Sequence, residues 1–62
     1  MRNVTQEAMD MTKEQIYRAN PLMQSKEYRM SLHPIEKQML AMQMITLAEA
    51  HEQELIREIR GE

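Results

Sequence analysis

The chain has 62 residues, 42% of them hydrophobic and 29% charged, with a formal net charge of −2 and no cysteine. A single domain of this size buries little apolar surface, and with neither disulfides nor a cluster of metal ligands to staple it, association with copies of itself is the first expectation. Its acids and bases are interspersed, which removes any general field for nucleic acid or anionic membrane, and no stretch approaches the roughly 20 apolar residues that span a bilayer.

No basic start leads into an apolar run, and the lack of cysteine is compatible with a reducing compartment, so the chain reads as soluble and cytoplasmic. Met supplies 8 residues while Phe and Trp are absent, so apolar contacts fall to flexible, unbranched side chains. Such side chains suit a forgiving helical core or an adaptable binding groove.

The first element is a helix over about 4–19. Asn3 or Thr5 can cap it, while Thr12 and Gln15 repeat the capping-box spacing and allow a later start at residue 12. Val4, Ala8 and Met11 fall on one stripe, and Ile16, Tyr17 and Ala19 mark a neighbouring one. The helix should stop at Asn20, because the residue before Pro21 is pushed out of the helical region and proline lacks the next backbone donor.

Residues 21–33 form the connection. Ser25 is placed to cap a short helical turn over 25–30. Leu22, Met23, Tyr28, Met30 and Leu32 are too apolar for a free linker, so this segment should pack and return the chain antiparallel to the first helix.

A long helix over 34–60 follows. Pro34 suits the first helical position, Glu36 sits in the first turn where the helix dipole favours an acid, Arg57 and Arg60 lie in the last turn, and Gly61 stands where a left-handed cap belongs. Ala41, Ile45, Ala48, Leu55 and Ile59 make one helical seam, interrupted by Glu52. Leu40, Met44 and Leu47 make a second, ending at His51. Met39 and Met42 carry apolar surface round a third side, leaving a narrow strip of Glu36, Gln43 and Thr46 for solvent.

One preceding helix can cover only one side of residues 35–48. The reading is therefore all-α: one helical domain over 1–62, a hairpin with a short connecting turn and one long C-terminal helix, assembling into a homo-oligomeric bundle centred on Met39, Leu40, Met44, Ile45 and Leu47. The alternative is a docking groove for a different protein.

Nothing in the sequence points to catalysis. There is no cysteine nucleophile and no glycine-rich phosphate loop, and the serines and threonines lack an evident base. His51-Glu52 begins like the metalloprotease helix motif, but the second histidine position is Leu55. Glu49, His51 and Glu52 at helical spacing read as a solvated face, so no metal or other cofactor is expected.

The segment Lys26 to His33 is the candidate ligand site. It gathers Lys26, Tyr28, Arg29 and His33 just before a helix start, and Arg18 ends the preceding helix. Arginine forks and exposed backbone donors suit phosphate, and a nucleobase can stack on Tyr28 or Arg29. The competing structural reading makes Tyr28 the hairpin's packing anchor, His33 a helix cap and Arg29 a solvated side chain.

Ser25, Glu27, Tyr28, Leu32, Glu36, Met39, Leu40, Gln43, Leu47, Leu55 and Ile59 together resemble the pattern of short, mostly uncharacterised helical accessory proteins of bacteriophages. The resemblance spans residues 25–59. It departs at Ala50, where the pattern has an aromatic, and at Glu58-Ile59, where it closes with Arg-Ile. What it implies is a stoichiometric phage accessory protein in the host cytoplasm. By analogy with small phage proteins that sequester cyclic nucleotide immune signals, it also implies an oligomeric sponge for a small anionic ligand. A protein-binding inhibitor or adaptor that uses the Met-rich surface, with a host protein as partner, is the alternative. Nucleic acid is disfavoured as a partner by the acidic net charge.

Overall fold

In the computed structural model, which describes residues 2–61, the chain is a helical hairpin: α1 (Val4–Ala19), a 3-10 turn (Pro21–Gln24), a short α2 (Lys26–Ser31) and a long α3 (Pro34–Arg60). Of the single domain expected over 1–62, Met1 and Glu62 lie outside the described residues. No strand occurs among the described residues, and no helix there is long and apolar enough to cross a membrane.

Each boundary has a local cause. The Asn3 side chain accepts from the Gln6 backbone N–H at 3.0 Å, which fixes the early start of α1; Thr12, the other candidate cap, lies inside the helix. Asn20 ends α1 and starts the 3-10 turn: its N–H reaches Ile16 O at 2.9 Å, and its side-chain oxygen accepts from Leu22 N at 3.2 Å. Ser25 Oγ caps α2 through Tyr28 N at 3.3 Å. His33 Nδ1 accepts from Ile35 N at 3.2 Å at the head of α3, and Gly61 closes α3 in the left-handed region with φ 77°.

α3 sets the long dimension of a molecule measuring 42 × 20 × 18 Å. At about 1.5 Å per residue α1 is roughly 24 Å long, so it covers only part of α3. The helices run antiparallel, and Gln15 Oε1 meets His51 Nε2 at 2.9 Å between them. With the amide oxygen as acceptor, Nε2 carries the proton.

The buried face of α1 is the row Ala8, Thr12 and Ile16, one helical position round from the expected Val4, Ala8 and Met11 stripe. Met11 is exposed instead. Ala8 and Thr12 are small, so the helix backbones can approach closely. Thr12, fully buried, disposes of its hydroxyl by donating to Ala8 O at 2.8 Å. On α3 only Leu55 is buried, while Leu40, Met44, Leu47, Ala48 and His51 are half-buried. Among the described residues the buried apolar set is thus Ala8, Ile16 and Leu55, a small core for a chain of this length.

Candidate functional site

Two surfaces stand out. The first is a bare apolar face on the N-terminal half of α3. Ile35, Met39 and Met42 follow one another at helical spacings and Ile45 lies beside them, with 62, 64, 62 and 59% of their surfaces exposed. The face ends at Thr46, whose hydroxyl donates to Met42 O at 3.0 Å, and beyond it Glu49 and Gln53 are polar.

Of the expected assembly residues, Met39 and Ile45 are on this face. Leu40, Met44 and Leu47 are half-buried; Leu40 and Met44 line a cleft with Ile16 and Tyr17 of α1, so they serve the chain's own hairpin. Ile35 and Met42 take their place on the open side. Met42 was legible in the third apolar side of the helix, whereas Ile35 was assigned to no side.

The second surface is that cleft, of about 180 Å³, between α1, the 3-10 turn, α2 and α3. Its apolar walls are Ile16, Met23, Leu40 and Met44, and its polar groups come from Lys13, Tyr17 and Arg29. No carboxylate lines it. Arg29 is half-buried, and its Nη1 donates to Met23 O at 2.5 Å, so the guanidinium braces the 3-10 turn and is not the solvated side chain of the competing reading. Four of its five N–H groups remain for other partners.

The structure does not gather the five expected ligand residues into one site. Arg18 pairs with Glu14 at 2.6 Å and borders a separate shallow hollow with Met11, Gln15 and His51. Tyr28 is half-buried in another hollow, with Met23, Leu32, Glu36 and Met39. Lys26 is exposed in the first turn of α2, and His33 is occupied as a cap. Arg29 alone reaches the cleft. Lys13 and Tyr17 join it there, four apart on α1 and flanking Ile16; that spacing was the available signal.

His51 Nδ1 is buried without a hydrogen-bond partner. Among the described residues, no group of three or more His, Cys, Asp or Glu side chains is placed to hold a metal ion. Arg2 is raised above its ordinary pKa by its hydrogen bond to Glu7 and by that residue's charge, on an exposed surface away from the cleft.

Neither a protein-family model, nor a curated protein, nor a solved structure matches this chain.

Proposed function

We propose that this protein works by association and not by catalysis: a helical hairpin that pairs with a second copy of itself through the open face of α3. The observation that carries this reading is the exposure of Ile35, Met39, Met42 and Ile45 beside a core that, among the described residues, comprises Ala8, Ile16 and Leu55. Area supports the same reading. A compact monomer of 7.4 kDa exposes about 4,200 Å², whereas this chain exposes 5141 Å². The excess of about 900 Å² is close to the roughly 800 Å² that each partner contributes to a standard interface.

Native mass spectrometry tests it. The wild-type chain is expected as a dimer or a higher closed assembly, and Met42→Glu as a folded monomer. A wild-type monomer with unchanged helicity would reject it.

A second reading is favoured by the cleft: the assembly holds a small anionic ligand. Arg29 and Lys13 bring positive charge to an apolar cavity whose lining has no acid. A phage-type accessory protein that sequesters an anionic signal would use such a site. A nucleotide is the ligand expected from the phage resemblance, and binding of a panel of linear and cyclic nucleotides that is lost in Arg29→Gln and Lys13→Gln tests it. An adaptor that docks a host protein on the α3 face would instead leave the free chain monomeric.

A further inference from the structure

We infer that the cleft between α1 and α3 is a binding site for a small amphipathic anion, an acid head group on a short alkyl or aryl tail. The inference rests on the small-anion reading above and narrows its ligand class.

The walls set the tail. Ile16, Met23, Leu40 and Met44 offer only carbon and thioether surface, and two of the four are methionines, which adapt to irregular apolar shapes. Nothing on those side chains reads the hydrogen-bonding edge of a nucleobase. The volume of about 180 Å³ lies below the roughly 300–1,000 Å³ of pockets for drug-sized ligands, so the buried part of the ligand is fragment-sized.

The polar groups set the head. Arg29 is already oriented by its bond to Met23 O, so little side-chain freedom is lost when its other N–H groups engage an acceptor. Lys13 comes from α1, lines the cleft and is exposed, so it adds a second positive charge on the side away from Arg29 of α2. Tyr17, four residues on, adds a phenol that can donate to the same oxygen atoms. Two cations with no lining carboxylate favour an anion over a neutral or cationic head of equal size.

The bare α3 face is a different surface. None of Ile35, Met39, Met42 or Ile45 lines the cleft, so a ligand there does not compete for the apolar side chains of the proposed dimer face. Met39 shares a neighbouring hollow with Met23, so Met44, which lines the cleft alone, is the reporter that separates the two surfaces.

The test uses the full chain with methyl-labelled methionine, titrated with octanoate, 1-octanol, octylammonium, acetate and a set of linear and cyclic nucleotides. Octanoate is expected to shift the Met23 and Met44 methyl signals and to leave Met30 and Met42 unmoved. Its affinity should exceed that of octanol by about tenfold, the scale of one charge-assisted contact. Acetate, which lacks the tail, and octylammonium, which reverses the charge, should give no saturable shift.

Arg29→Gln should weaken octanoate by a similar factor, and because that change also removes the brace on Met23, Lys13→Gln serves as the second variant at an exposed position. Equal binding of octanol and octanoate, or shifts confined to Met39 and Met42, would overturn the inference. Saturable nucleotide binding at Met23 and Met44 without octanoate binding would overturn the alkyl class while keeping the small-anion reading. Silence from every compound would remove both.

Discussion

The two apolar surfaces of α3 have similar side chains and different fates. Leu40, Met44, Leu47 and Leu55 lie toward α1 and are covered or half-covered, whereas Ile35, Met39, Met42 and Ile45 stand open. The difference lies in what the rest of the chain can reach. α1 spans about 24 Å at 1.5 Å per residue and offers a single narrow buried row. It can therefore close one side of α3 and no more. A helix with apolar residues on more than one side, attached to a partner of that size, specifies a hairpin whose own fold leaves a second apolar surface uncovered.

Substitutions on the two surfaces should behave differently. The largest effect is expected at Leu55, the buried side chain of α3. Leu55→Ala removes a core leucine at a typical cost of about 2–5 kcal/mol, a large fraction of the stability of so small a domain. Chemical denaturation followed by helicity should show loss of the cooperative transition or a strongly lowered midpoint.

The next effect belongs to the open face. Met42→Glu places a charge at the proposed interface, and the lost apolar burial alone is worth about 1.5–3 kcal/mol of association, so dissociation should strengthen by tenfold or more. At a dilution where both proteins are monomeric, its unfolding midpoint should match that of the wild type, because an exposed substitution away from a core or cap shifts stability by only about 0.5 kcal/mol.

Within the covered side, Thr12→Leu should cost about 1–3 kcal/mol, since overpacking at a fully buried position forces the two helices apart. Thr12→Val keeps the volume and deletes a hydroxyl that only back-bonds to Ala8 O, so it should be far milder. A similar loss for both would mean that the hydroxyl, and not the small volume, matters there.

The smallest effects are at the caps. Ser25→Ala should cost about 1 kcal/mol by releasing the Tyr28 N–H. Gly61→Ala should cost of the order of 1 kcal/mol because φ 77° strains an L side chain. Both are read from thermal unfolding, and neither should alter the assembly.

The helices were legible because their ends carry strong local chemistry. Pro21 and Pro34 fix two boundaries, Asn3 and Ser25 supply caps, and Gly61 supplies the left-handed stop. The buried row of α1 was less legible. Thr12 reads as a capping residue in sequence, and only the close approach of α3 makes a threonine a better core residue than Met11.

The candidate ligand site was legible in part for the same reason. Neighbours in sequence such as Tyr28 and Arg29 point into different hollows of a helical connection, and His33 is consumed by the head of α3. The cleft is assembled from residues far apart along the chain. Lys13 and Leu40 meet in it only because the hairpin closes, a distance that local spacing does not encode.

Sedimentation equilibrium of the wild-type chain beside Met42→Glu, with circular dichroism on the same samples, decides whether the open face of α3 pairs copies of the chain. A wild-type mass at least twice 7.4 kDa, a variant near 7.4 kDa and equal helicity for both are expected. A wild-type chain that sediments as a fully helical monomer at the concentrations used for dichroism would contradict that pairing, and the open face of α3 would then belong to a different partner.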